Sequence, residues 1–318
     1  MAQYPNGVWI WKLSEIRADY LDKLVERKVQ RVYLKVFDGK YQGKPTFWNW
    51  QCSPEIIQEF KSREIEVYGW GYHYGTADIT RQIVKVRQAL NCGLDGYIVD
   101  VEKEVEDPST HTNVDKLLSA VRMIVKEGTL GYATFGNPRL HPNVPWQILD
   151  KYCDLAFLQI YFEKFTFKPT TPEEVKDCLD AYKNLGFKKP ILPVWGSESD
   201  TAKPATAAEL QDYLNNYPGS SIWRIPKEGE RSEAWNLTYS GFVLPTLRRN
   251  LRQGRTGDDV KAVQKVLNAR GYNPGTADGN FGPQTEAAVK AFQKEAALTV
   301  DGEVGKLTWV ALGGKFDA

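Results

Sequence analysis

Through the first three quarters of the chain, short runs dense in Val, Ile, Tyr, Phe and Trp alternate with longer runs whose apolar positions recur every three or four residues. The short runs predict strands buried on both faces and the longer ones amphipathic helices. Their regular alternation predicts parallel strands joined by crossover helices. Eight strand segments emerge: GVWIW from Gly7, RVYLKVF from Arg31, IEVYGWGY from Ile65, DGYIVDVE from Asp95, LGYATFG from Leu130, DLAFLQIYF from Asp154, PILPVW from Pro190 and SSIWRI from Ser220. Helical stretches between them include SEIRADYLDKLVERK, ADITRQIVKVRQAL, NVDKLLSAVRMIVKE and TPEEVKDCLDAYKNLG, several opened by Ser, Thr, Asp or Asn as N-caps. Eight such units in about 245 residues predict an α/β fold, a TIM-type (β/α)8 barrel. The last unit is irregular, because RSEAWNLTYSGFVLP has no helical period. A doubly wound open sheet would carry a Gly-rich phosphate loop after its first strand, and here that turn reads WKLSE.

The pattern changes near GFVLPTLRRNLRQG, which places a boundary between a barrel over residues 1–246 and a small domain over 251–318. The tail repeats one motif: DGNFGPQTEAAV from Asp278 and DGEVGKLTWVAL from Asp301 both read D-G-x-x-G-x-x-T before an apolar helix. An Asp-Gly turn followed by a helix start is sensible in both places. Val260, Val263 and Leu267, then Val289 and Phe292, mark apolar helix faces, so a three-helix core is expected.

Composition narrows the partners. A net charge of +1 with interspersed signs offers no field for a polyanion, which argues against nucleic acid. No apolar run is long enough for a membrane span. Ten Trp among 12% aromatic residues exceed what a core of this size requires and suggest stacking on sugar rings, although core burial takes most of them. Cys52, Cys92, Cys153 and Cys178 have neither CxxC nor metal-cluster spacing and read as buried free thiols. His73, His111 and His141 are the only histidines and lack zinc-ligand spacing, so neither a metal site nor a cofactor is expected. The start, MAQYPNGVWIWKL, does not have the form of a secretory signal.

In a parallel barrel, chemistry gathers at the C-terminal strand ends. The fourth strand ends in VDVEKE, where Asp100 and Glu102 leave the same face about 6.6 Å apart along the strand, near the spacing of a glycosidase carboxylate pair. Glu102 is the candidate general acid, its pKa raised by burial and by Asp100. Asp100 would stabilise the cationic centre, orient a substrate acetamide or activate water. An isolated D-x-E is often only a solvated strand end pairing with a neighbour such as Lys103; the barrel context gives this one weight. Asp38, Trp195 and Glu198 lie near other strand ends with weaker claims, and which of Tyr68, Trp70 and Tyr72 or Gly69, Gly71 and His73 faces the cavity is open.

The tail from Leu251 resembles the peptidoglycan-binding module appended to bacterial and phage wall hydrolases. DGYIVDVE resembles the D-G-x-D-x-D-x-E signature of family 18 chitinases and spore-wall glucosaminidases at Asp95, Gly96, Asp100 and Glu102, with Ile98 where an acid is expected. The same strand, with GWGYHYG around Tyr72 and His73, is similar to family 25 lysozymes, although VWIWK lacks that family's first-strand acid. These resemblances imply a peptidoglycan glycosidase: a muramidase with Glu102 and Asp100, or a glucosaminidase with a substrate-assisted mechanism. They imply substrate contacts from Tyr161 to an acetamide, from Trp223 beneath a sugar, and from Gln159, Asp95 and Tyr72. A binding-only wall protein is the rival, since Ile98 interrupts the signature; a zinc amidase or cysteine peptidase has less support. The expected partner is bacterial peptidoglycan and the expected state a monomer. The expected place of action is the cell wall, reached in the manner of a phage endolysin.

Overall fold

The β-branched and aromatic runs form strands because both their faces find apolar cover. In this computed structural model, which describes residues 4–75, 78–160, 172–187, 189–196, 205–217, 219–239, 245–270, 272–312 and 314–317, β1 (Gly7–Ile10) and β5 (Gly96–Asp100) are buried along their whole length. The other strands are β2 (Arg31–Asp38), β3 (Thr46–Phe47), β4 (Glu66–Tyr72), β6 (Leu130–Phe135), β7 (Leu155–Gln159), β8 (Val194–Gly196) and β9 (Ser221–Trp223). All but β3 run parallel in the order β1-β9-β8-β7-β6-β5-β4-β2, and pairing of β1 with β2 closes an eight-stranded barrel. All eight strand segments expected from the sequence contribute to it.

Alternate residues of each strand divide between two cores. Val8, Val32, Leu34, Val67 and Val99 point outward to the surrounding helices, while Trp9, Tyr33, Tyr68, Trp70, Ile98 and Phe157 fill the lumen. This decides the facing of β4: its Tyr and Trp residues point inward. Gly71 points outward, where a Cβ would collide with the Tyr97 hydroxyl and the Phe37 ring. His73 continues the outward face, fully buried between Gln82 (2.7 Å) and the Tyr97 hydroxyl (3.1 Å), and burial lowers its pKa to about 4.

Of the N-caps expected from the sequence, Asp78 forms, whereas the helix His111–Arg122 begins ahead of Asn113 and has no side-chain cap. Ser53 accepts from the Ile56 amide at the start of Pro54–Lys61, Asp78 from the Arg81 amide at the start of Ile79–Leu90, and Thr206 and Glu209 form a capping box for Ala207–Asn216. Helix does not extend through SEIRADYLDKLVERK: a single 3-10 turn at Leu13–Glu15 precedes a helix at Tyr20–Glu26. After β9 only a 3-10 turn, Glu233–Asn236, was found among the described residues before 240.

A second core begins at Leu247 and gathers Val260, Val263, Leu267, Val289, Phe292, Val304 and Trp309 from helices Asp258–Ala269, Pro283–Glu295 and Lys306–Ala311. The repeated motif has a structural counterpart. The buried Gln264 amide donates to Asp278 Oδ1 (3.1 Å), the Asn280 carbonyl (2.9 Å) and Thr285 Oγ1 (3.1 Å), while its oxygen accepts from the Gly279 amide (2.8 Å). Gln293 repeats each bond with Asp301, the Glu303 carbonyl, Thr308 and the Gly302 amide. Both glycines have positive φ, 83° and 78°, which the turn requires. Among the described residues no helix is long and apolar enough to cross a membrane.

Candidate active site

At the C-terminal ends of the strands the lumen changes from apolar to charged. Register carries Asp38 of β2 beside Tyr72 of β4, and Tyr72 beside Asp100 of β5. A bulge between Lys35 and Phe37 makes this row possible. Val36 and Phe37 both pack outward, so the alternation resets and Asp38 returns to the inner side, where its Oδ2 lies 3.1 Å from Lys35 Nζ.

Asp100 is buried and Glu102, just past the end of β5, is half-buried. The Gln159 amide nitrogen on β7 bridges them, donating to Asp100 Oδ1 at 3.1 Å and to Glu102 Oε1 at 2.9 Å. Those two oxygens therefore lie within about 6 Å of each other, compatible with two acids working on one bond. Tyr72 donates to Glu104 Oε2 at 2.7 Å at the same mouth.

Lys35 supplies the neighbouring positive charge. Its ammonium is buried among three indoles, with Nζ 4.3 Å from the Trp11 ring, 4.7 Å from Trp70 and 5.1 Å from Trp48. Burial pushes its pKa down, and Asp38, then Asp100 and Glu102, hold it up. Burial pushes the Asp100 carboxyl well above the usual carboxylate range and repulsion from Glu102 adds to this, whereas Lys35 and the Gln159 hydrogen bond oppose it. Two nearby acids under one cation favour sharing a proton over carrying two full charges. Burial, and next the charge on Glu102, also raise the Tyr72 phenol.

The structure brings together Asp100, Glu102, Gln159 and Tyr72. Trp223, at the end of β9, faces the same mouth, its ring 5.7 Å from Trp11 and 5.5 Å from Trp70. Asp95 is a correction to its expected substrate contact. It precedes β5 at the opposite end of the barrel, where it pairs with Lys61 (2.9 Å) and accepts from the Val67 amide (2.9 Å). It cannot meet a ligand held by Asp100, because five extended residues separate them by about 17 Å. Tyr161 and Glu198 lie outside the described residues. Trp195 packs outward against Tyr213 rather than into the lumen. Lys35, Trp11, Trp48 and Glu104 were not anticipated; the only sequence signal was a Lys interrupting an apolar strand.

Residues 256–312 match a family profile described as "Putative peptidoglycan binding domain". Among curated proteins, the chain is similar to an N-acetylmuramoyl-L-alanine amidase, CwlL, of Bacillus licheniformis, 45% identical over 64 residues that make up 20% of this chain and 18% of that protein. It is also 33% identical over 119 residues to an autolytic lysozyme of Clostridium acetobutylicum, covering 37% of this chain and 35% of that one. An uncharacterized Kitasatospora aureofaciens protein is 48% identical over 63 residues, 20% of this chain and 53% of its own. The matches thus span from under a fifth to about half of these relatives' lengths. Among solved structures, the spore cortex-lytic enzyme SleL of Bacillus cereus aligns with TM-score 0.53 and 11% identity over 74% of both chains. A chitinase of Rhizomucor miehei aligns with TM-score 0.51 and 12% identity over 69% of this chain and 93% of that one. The first three quarters of the chain therefore have the fold of a TIM-type barrel, which these two solved structures share. C-terminal to the barrel, the chain carries a segment that matches the peptidoglycan-binding profile.

Proposed function

We propose that the protein hydrolyses the glycan backbone of bacterial peptidoglycan as a lysozyme-like muramidase, with a catalytic barrel over residues 1–246 and a wall anchor over 251–318. The observation that carries this reading is the Gln159 amide bridging Asp100 and Glu102 at the barrel mouth. Glu102, the more accessible acid, protonates the leaving oxygen as the glycosidic C–O bond breaks, and a water molecule bonds to the freed anomeric carbon and returns its proton to the acid pair. Asp100 keeps or returns a proton as the charge on its neighbour changes, and Lys35 and Gln159 steady the negative charge left on the pair. Trp223 and Tyr72 line the sugar's place. Ile98 lies in the lumen core in the position where a relay acid would stand, so the charge partner of Asp100 in this chain is Lys35.

A glucosaminidase is the second reading, favoured by the burial of Asp100, since a buried proton-bearing acid is suited to orient a substrate acetamide. Purified peptidoglycan treated with wild type and with Glu102→Gln tests both. New reducing ends are expected with wild type, falling at least a hundredfold in the variant, in line with loss of a general acid. Mass spectrometry of the terminal sugar separates the readings, muramic acid supporting the first and glucosamine the second. New amino termini, or equal activity of the variant, would overturn both. A phage endolysin's route to the wall fits this activity and is part of the proposal.

A further inference from the structure

We infer that the hairpin following β2 carries a second saccharide-binding platform, built on Trp50, that takes a pyranose ring of the same glycan strand further along from the acids. The inference rests on the glycosidase reading and extends it to a substrate contact outside the carboxylate cluster.

Strand β3 runs back antiparallel along Phe37 and Asp38, so the chain that follows it descends beside Lys35 at the barrel mouth. The Trp48 amide donates to the Val36 carbonyl at 2.8 Å, and the Trp48 ring is buried against the Lys35 ammonium. Two residues on, Trp50 stacks on that ring with centroids 5.2 Å apart and planes 27° apart. Tyr41, from the connection between β2 and β3, touches both rings at 5.4 Å and 5.8 Å. Yet Trp50 remains 48% exposed.

The turn beneath it is held firmly. The Gln51 side chain donates to the Trp11 carbonyl (2.9 Å) and to the Lys35 carbonyl, and accepts from the Leu13 amide (3.0 Å). Trp50 is thus a preorganised aromatic surface, one that loses little conformational freedom when a ligand covers it. A large apolar ring left half in water gains by stacking on the C–H face of a sugar.

Continuity fixes the occupant. Trp223 is in ring contact with Trp11, and the Lys35 ammonium lies between Trp11 and the Trp48 ring on which Trp50 stacks, so these side chains connect the barrel mouth to the hairpin. Lys40 and Lys44 on the hairpin add positive charge that suits the carboxylates of muramic acid and its peptide. An N-acetylated, carboxylate-bearing oligosaccharide matches both features, and one strand can span them.

The test uses full-length Glu102→Gln protein and glycan fragments of alternating N-acetylglucosamine and N-acetylmuramic acid, two, four and eight sugars long, with affinity read by calorimetry. Adding Trp50→Ala is expected to weaken the eight-sugar fragment about tenfold and to leave the disaccharide unchanged, while Trp50→Phe stays within about threefold. An equal change at both lengths, or none at either, overturns the platform. If wild type still releases reducing ends from peptidoglycan in that case, the glycosidase reading survives without it. If no fragment binds and no reducing ends form, both fail.

Discussion

Asp100 gives up solvent while keeping one amide partner and a like-charged neighbour, a combination that a carboxylate tolerates only at a cost to stability. Its folded pKa is raised above the unfolded value near 4, so the stability associated with its protonated form is fully present below that value and is lost as pH rises through the folded pKa. Asp100→Asn should therefore melt at a higher temperature than wild type at pH 7, with the difference closing as pH approaches about 4. Thermal unfolding across that range checks this, and a gap independent of pH would assign the effect to packing instead. Lys35 acts in the opposite sense on the same acids. Replacing it with Met removes a positive charge that favours their ionised forms, so the acid limb of the pH–rate profile on peptidoglycan should move up by about one pH unit or more. An unmoved limb in a folded variant would reduce Lys35 to a packing role.

Among the elements, two small devices decide what the site contains. The β2 bulge returns Asp38 to the lumen, and the β3 hairpin lays Trp48 over Lys35. Neither has a sequence signature, because the first depends on pairing with β4 and the second on where a two-residue strand finds its partner. The glutamine locks of the tail are a different case. The D-G-x-x-G-x-x-T repeat was legible, but the buried Gln264 and Gln293 that satisfy it are supplied from the preceding helices and were not singled out. Gln264→Leu would strand an Asp, a threonine hydroxyl and two backbone groups, and should destabilise the tail by about 3 kcal/mol. In denaturant melts of the full chain an early transition should appear, and co-sedimentation with cell walls should fall while cleavage of soluble glycan fragments persists.

Across the whole molecule, separate cores for barrel and tail allow the proposed catalysis and the proposed anchoring to be divided. A chain ended at residue 246 is expected to cleave soluble glycan fragments at the wild-type rate but to lose about a hundredfold on insoluble walls, because tethering raises local substrate concentration. Equal losses on both substrates would tie the tail to the chemistry itself. The sequence alone determined eight parallel strands, a helical tail with a duplicated turn, and an acidic pair two residues apart. Each of these is written in local periodicity or short spacing, which the backbone geometry of strands and helices converts directly into structure. Only the tertiary structure decided that Gln159 joins acids 59 and 57 residues away, that Lys35 lies among three tryptophans, and that Asp95 stands at the far end of the barrel. Barrel closure brings these residues together or holds them apart, and it is a property of register and strand direction that no single segment contains.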